Sequence, residues 1–176
     1  MSQAEHTEEK ALSAAIEMEE KGFSFFKDTA ARAEDKFAKE VFEFLAGEEL
    51  NHIKAIERFH DEYIKGNSSD PAGLIRGMAN TAAREAITLL FQQLSANPPI
   101  EGTDLEVYQF AMDFERKGEN FYKKCESEAT DSNAKKLYSF LVQEERRHFK
   151  IVESCLSYFD NPAEFFHQRE KWHLEG

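Results

Sequence analysis

Apolar residues recur along four stretches of the chain at alternating steps of three and four, which is the spacing of one face of an α-helix. The first stretch runs from about Thr7 to Glu34. The second follows Asp35, a residue that can cap a helix, and continues to about Lys65. Residues 66–71 then collect the residue types that favour turns. This half of the chain is predicted to be a hairpin of two antiparallel helices.

The second half of the chain repeats this organisation. Thr103 and Glu106 have the spacing of a capping box, which predicts the start of a third helix. A fourth helix is predicted to begin near Asp131 or Ser132. Between the halves, residues 73–94 have a helical composition and no counterpart in the other half, so we expect a long crossover that is partly helical. Two hairpins joined in this way predict an all-α four-helix bundle with pseudo-twofold symmetry.

The length and composition are consistent with one helical domain. A chain of 176 residues is long enough to bury a single continuous core. Hydrophobic residues make up 41% of it, and only 4 prolines and 8 glycines interrupt it. We therefore predict one domain over residues 1–176, with the bundle at 7–160 and a short tail at 161–176.

The charge of the chain excludes several classes of partner. A net charge of −12 argues against nucleic acid, because phosphate binding requires a basic face, and it favours cations as ligands. No apolar run approaches the ~20 residues of a membrane-spanning helix. The first ten residues are polar and acidic, unlike a signal or transit peptide, so we expect a cytoplasmic protein. Cys125 and Cys155 form no CxxC motif, which favours a role in the core.

A repeat with an offset of 96 residues relates the two hairpins. The offset carries Glu49 and His52 onto Glu145 and His148 without a gap, and it carries Glu19 onto Glu115. The Glu-x-x-His spacing by itself is weak, because it occurs three more times outside the repeat, at Glu57/His60, Glu164/His167 and Glu170/His173. The pairs that recur under the repeat are therefore the candidates for a functional site.

The six repeated residues also lie on the apolar stripes of the four helices. An ionised carboxylate without a partner in a core costs several kcal/mol, and no Lys or Arg occupies the same stripes. Four such glutamates with two histidines predict a pair of divalent metal ions, and these ligands suit iron, manganese or zinc. The alternative is a hydrogen-bonded network of protonated glutamates and neutral histidines. Glu48 and Glu144 also match under the repeat, and we place them at the edge of the stripes.

As a set, these residues resemble those of the rubrerythrins, a branch of the ferritin-like superfamily of di-iron four-helix bundles. The pattern that carries the resemblance covers nearly all of residues 11–159 and reads Glu19-x-x-Gly22-x-x-x-Phe26, Glu49-x-x-His52, Glu115-x-x-Gly118-x-x-x-Tyr122 and Glu145-x-x-His148. The resemblance implies that Glu49 and Glu145 would bridge two iron ions. Glu19 and Glu115 would be terminal ligands. His52 and His148 would each hold one ion.

Some positions depart from the family pattern. Rubrerythrins proper carry a rubredoxin domain, and this chain has no cysteines for one, so a separate electron-donor protein is expected. Rubrerythrins also use an additional glutamate three residues after the third-helix ligand, where this chain has Gly118. Glu119 could substitute for it from the next position. Phe26 replaces a tyrosine that often lies beside such sites, whereas Tyr122 keeps one in the second repeat.

Three functions are compatible with this set of residues. The first is a di-iron oxidoreductase that reacts with hydrogen peroxide or dioxygen and protects against oxidative stress. The second is a ferroxidase, for which iron is the substrate. The third is a non-catalytic bundle that metal ions stabilise for binding a partner. The long crossover would also allow hairpins to exchange between two chains, so we expect a homodimer.

Overall fold

The structure is a computed structural model that describes residues 3–67, 70–78, 89, 105–162 and 164–165, with side chains from residue 7 onward. The described residues form five α-helices, namely α1 (Gln3–Arg32), α2 (Lys36–Ile64), α3 (Ala72–Met78), α4 (Leu105–Glu128) and α5 (Ser132–Asp160). The predicted all-α class is confirmed. The rest of the predicted crossover, the capping box at Thr103 and most of the tail lie outside the described residues.

Equivalent aspartates start the second helix of each hairpin. The side chain of Asp35 accepts a hydrogen bond of 2.9 Å from the backbone N–H of Ala38 at the start of α2. Asp131 accepts hydrogen bonds of 2.8 Å from the backbone N–H groups of Asn133 and Ala134 at the start of α5. Such caps satisfy backbone donors that a helix leaves unpaired at its N-terminus. The helix starts predicted at these positions are confirmed.

The helices pack as two hairpins. α1 packs along α2, and α4 packs along α5, because only residues 33–35 and 129–131 connect the members of each pair. Across the bundle α1 contacts α4 and α2 contacts α5, while α3 packs against α2. The predicted four-helix bundle of two hairpins is confirmed. Within the described part of the chain, no helix has an apolar stretch long enough to cross a membrane.

Two apolar layers fill the bundle at different levels. The layer near the connection at residues 33–35 contains buried residues that include Phe26, Phe42, Tyr108, Val152 and Tyr158. The second layer contains Leu12, Ile56, Phe59, Tyr122, Tyr138 and Leu141, among others. On each of the four long helices the sequence between the two layers carries the predicted ligands. The candidate site therefore lies between two layers of packed hydrocarbon.

A buried acidic residue joins α1 to α5 inside the second layer. The hydroxyl group of Tyr138 donates a hydrogen bond of 2.7 Å to Oε1 of Glu8, and both side chains are buried. Burial raises the pKa of Glu8 above its ordinary value, and the negative charge of Asp131 adds to the shift. Glu8 lies four residues before Leu12 on the buried face of α1, but its partner is 130 residues away, so the sequence pattern does not reveal this pair.

We expect a Glu8→Gln variant to be more stable than the wild type at about pH 8, by a few degrees in Tm, and to lose this advantage near pH 4. The pKa of Glu8 is higher in the folded chain, so the wild type gains stability when this group is protonated and loses it as the pH rises through the folded pKa. Glutamine stays neutral and can still accept from Tyr138. Thermal melts at several pH values measure the difference, and a constant difference would contradict the assignment.

Candidate metal centre

Six polar side chains from four helices meet between the apolar layers. α1 supplies Glu19, α2 supplies Glu49 and His52, α4 supplies Glu115, and α5 supplies Glu145 and His148. Each of the six side chains is at most 1% exposed. They are the six residues that the sequence repeat singled out, and the structure brings all of them together.

The Nδ1 atoms of both imidazoles face carboxylate oxygens. Nδ1 of His52 lies 3.4 Å from Oε2 of Glu19 and 3.7 Å from Oε2 of Glu49. Nδ1 of His148 lies 3.2 Å from Oε1 of Glu49 and 3.6 Å from Oε2 of Glu115. The two imidazole rings stack with their centroids 5.4 Å apart and their planes 14° from parallel. Glu49 therefore lies between the two histidines, with one oxygen toward each.

The six residues divide into two overlapping groups that could each hold a metal ion. The first group consists of Glu19, Glu49, His52 and Glu145, and the second of Glu49, Glu115, Glu145 and His148. Within each group, one ligand atom from every residue lies within 4.8 Å of the others. Each group contains three carboxylates and one imidazole. Both groups share Glu49 and Glu145, which matches the bridging pair implied by the sequence.

Burial and mutual repulsion shift the pKa values of the four carboxyl groups. Burial, with the charge of Glu49, raises the pKa of Glu19 to about 8. Burial and neighbouring carboxylates likewise raise the pKa values of Glu115 and Glu145 well above their ordinary range. Burial also opposes ionisation of Glu49, but contacts with Glu19 and His148 outweigh it and lower the pKa. Divalent ions would bind here by displacing protons, since metal ligands must be deprotonated.

Many of the polar atoms at this site lack hydrogen bonds. Among the described residues, both carboxylate oxygens of Glu115, Oε1 of Glu49 and Oε1 of Glu145 are buried and make no well-aligned hydrogen bond. Both ring nitrogens of His148 are also buried and make no well-aligned hydrogen bond. Buried polar groups are normally satisfied, and leaving one unpaired costs about 1–3 kcal/mol. The oxygen and imidazole donors fit a pair of iron, manganese or zinc ions better than they fit a self-contained hydrogen-bond network.

A sequence model of the rubrerythrin family matches residues 10–156, which include all six of these side chains. The chain belongs to the rubrerythrin family. Neither a curated protein nor a solved structure matches it. Membership in this family, together with the observed helix arrangement, confirms the predicted ferritin-like bundle.

The tyrosine expected beside a rubrerythrin site is present on α4. The hydroxyl group of Tyr122 donates a hydrogen bond to Oε1 of Glu19, across the bundle on α1. Burial raises the pKa of Tyr122 well above its ordinary value, and the nearby charge of Glu19 adds to the shift. The phenol therefore stays protonated and orients one carboxylate of the first group. At the equivalent position of the other hairpin, Phe26 is fully buried in the other apolar layer.

Glu119 does not take the place of the additional rubrerythrin glutamate. Its carboxylate pairs with Arg146, and its Oε1 lies 2.7 Å from Nζ of Lys123. The contact with Lys123 is the main reason that the pKa of Glu119 is lowered. Neither of the two metal groups includes this residue. In this structure Glu119 therefore belongs to a partly exposed ion-pair network.

A charged cluster that was not predicted from the sequence lies next to the histidines. Glu48 and Glu144, placed at the edge of the stripes from the sequence, are buried, with exposures of 2% and 4%. Nη2 of Arg147 donates to Oε2 of Glu48 over 2.7 Å and lies 2.5 Å from Oε2 of Glu144. One atom each from Glu144, His52 and His148 also lie within 4.8 Å of one another. The spacing of three residues from Glu144 to Arg147 on one helix could have indicated the ion pair between them.

Proposed function

We propose that this protein is a di-iron oxidoreductase that reduces hydrogen peroxide or dioxygen, with peroxide as the preferred substrate. The observation that carries the proposal is the pair of buried groups that share Glu49 and Glu145, because two ions held by common carboxylates lie close enough to act on one small molecule. Membership in the rubrerythrin family supports the same class of chemistry.

Two iron ions would supply the two electrons that convert peroxide, with two protons, into two molecules of water. The residues of the chain hold and orient the ions. Glu49 lies between the two imidazoles, and Tyr122 fixes Glu19 through its hydrogen bond. The apolar layers on both sides exclude bulk water from the site. Electrons for the next cycle would come from a separate donor protein.

A ferroxidase is the second candidate. Arg146 and Lys123 hold the Glu119 carboxylate away from the candidate metal groups. Two ions would then have six protein ligands instead of the seven of rubrerythrins, and this difference from rubrerythrins favours the ferroxidase. In this function ferrous iron is the substrate, and it is passed on after oxidation. The cytoplasmic location and the homodimer expected from the sequence remain predictions under either function.

Rapid mixing of the anaerobically iron-loaded protein with peroxide, and separately with dioxygen, tests the proposal. We expect reoxidation by peroxide to be at least tenfold faster than by dioxygen, and we expect repeated turnover when a reductant is supplied. Continued uptake and oxidation of many iron ions per chain would instead favour the ferroxidase. If neither oxidant reacts faster than it does with free ferrous iron, the proposed oxidoreductase is wrong.

A further inference from the structure

Gly118 lies in the interior of α4, where a glycine is unfavourable. Glycine costs roughly 1 kcal/mol relative to alanine inside a helix. Backbone conformation does not explain its presence, because Gly66 is the one glycine with a positive φ among the described residues. An ordinary L-residue could therefore adopt the backbone of Gly118. The reason for glycine must be the space around it.

The carboxylate of Glu145 occupies the space that a side chain at position 118 would need. A Cβ atom built on Gly118 would lie 2.2 Å from Oε2 and 3.0 Å from Cδ of Glu145. These separations are far below van der Waals contact, so a methyl group and this carboxylate position exclude each other. Oε1 of Glu145, the other oxygen, makes no well-aligned hydrogen bond among the described residues.

The equivalent glycine in the other hairpin has a different neighbour. A Cβ atom on Gly22 would first meet the ring of Phe114, at 2.8 Å, and would approach Cδ of Glu49 only to 3.4 Å, an ordinary contact distance. Glu49 is already fixed between two imidazoles, whereas space beside α4 determines the position of Glu145. The two carboxylates shared by the metal groups are thus held in different ways.

We propose that Gly118 is a positioning residue of the metal centre, whose bare backbone provides the space that the Glu145 carboxylate occupies as a member of both candidate metal groups. The inference rests on the proposed metal-dependent function. While Glu145 keeps the position seen here, there is no room for a side chain at position 118, where rubrerythrins have their additional glutamate.

Calorimetric titration of the chelator-treated protein with Co²⁺ and Zn²⁺ tests this role without measuring activity. Gly118→Ala is expected to weaken binding of at least one of the two ions by about tenfold or more, while the circular dichroism spectrum stays helical. Gly47→Ala is the matched control, because a Cβ atom on this exposed glycine of α2 would meet nothing within 4 Å. It should bind both ions as the wild type does.

A compensating substitution distinguishes positioning from general damage. Glu145→Asp shortens the carboxylate by one methylene group, so it makes room for the methyl group of alanine. The double variant Gly118→Ala/Glu145→Asp should bind the weakened ion several-fold more tightly than Gly118→Ala does. The double variant should fold even if Gly118→Ala does not. If Gly118→Ala does not fold, the affinity of the double variant for the ions should lie within about tenfold of the affinity of Glu145→Asp alone.

Unchanged affinity in Gly118→Ala would overturn the role of Gly118. Failure of the double variant to recover affinity would also overturn it, because a steric conflict with Glu145 predicts rescue. Absence of binding by the wild type would instead refute the proposed metal centre, and this inference with it. The wild-type titration therefore separates failure of the two proposals.

Discussion

Replacing Glu115 with methionine should make the chelator-treated protein more resistant to heat and at the same time remove at least one of two bound divalent ions. Both carboxylate oxygens of Glu115 are buried without a well-aligned hydrogen bond in the described structure. Burial raises the pKa of this group well above its ordinary value, so the metal-free chain bears a cost at this position. Methionine has a similar shape and no such polar group.

The expected gain follows from the cost of an unsatisfied polar group. About 1–3 kcal/mol is recovered when such a group is removed from a core, and each kcal/mol shifts the Tm of a chain of this size by about 2–4 °C, so we expect a rise of roughly 2–12 °C. The second group loses one of its four residues, so metal analysis should fall from about two ions per chain to one or fewer.

Glu57→Met serves as the control for this experiment. Glu57 is exposed on α2, so its replacement should leave the metal content unchanged and shift the Tm by no more than about 2 °C. Thermal melts with and without chelator, followed by metal analysis, measure both effects. A Glu115→Met variant that melts lower than the wild type in chelator would show that this carboxyl group stabilises the fold without metal.

Replacing Arg147 with methionine should weaken metal binding by about 10–100-fold, which is the usual effect of losing a residue that supports metal ligands. Arg147 holds Glu48 and Glu144 together across α2 and α5, and Glu144 lies close to both imidazoles. A histidine that binds metal through one ring nitrogen normally donates from the other to a carboxylate. Loss of the guanidinium group removes the cation that keeps these carboxylates in place.

The same variant should also be less stable. Removing one partner of a fully buried ion pair costs about 3–5 kcal/mol of stability. Because the Arg147 side chain is 25% exposed, we expect its removal to cost about 3 kcal/mol or less. We therefore expect a fall in Tm of roughly 6–12 °C at most. Arg146→Met is the matched control. Arg146 is the next residue along the helix, and its ion pair with Glu119 at the surface contributes at most about 1 kcal/mol.

Metal titrations and thermal melts of Arg147→Met and Arg146→Met test whether Arg147 supports metal binding and stability. Equal metal affinity in Arg147→Met and Arg146→Met would refute the supporting role of the cluster. An Arg147→Lys variant should recover part of the stability, because it keeps the charge. It should recover less of the metal affinity, because an ammonium group cannot reproduce the geometry with which one guanidinium group meets two carboxylates.

The features predicted correctly from the sequence are those that local spacing encodes. Asp35 and Asp131 were recognisable as caps because capping involves neighbours two or three residues away. The six residues that meet in the candidate site were recognisable because charge on an apolar stripe is exceptional and the repeat showed it twice. Their role as metal ligands stays a prediction. Both features can be read from the sequence without knowing how the hairpins pack.

The features that were missed depend on contacts between distant segments. Nothing in the spacing pairs Glu8 with Tyr138, which lie 130 residues apart, or Glu48 with Arg147, which lie 99 residues apart. Glu48 was placed at the edge of its stripe because its angle on α2 differs from that of Glu49. Glu48 is buried where it meets Arg147 of α5. Partner choice of this kind is set by tertiary packing.

The division of the six candidate ligands between the hairpins would affect how the molecule holds together. The first group takes three residues from the α1–α2 hairpin and only Glu145 from the other, and the second group takes Glu49 from α1–α2 and three residues from α4–α5. Neither half of the chain can complete a group by itself. Each bound ion would therefore act as a crosslink between the halves, so its loss would weaken their docking more than the helices within either half.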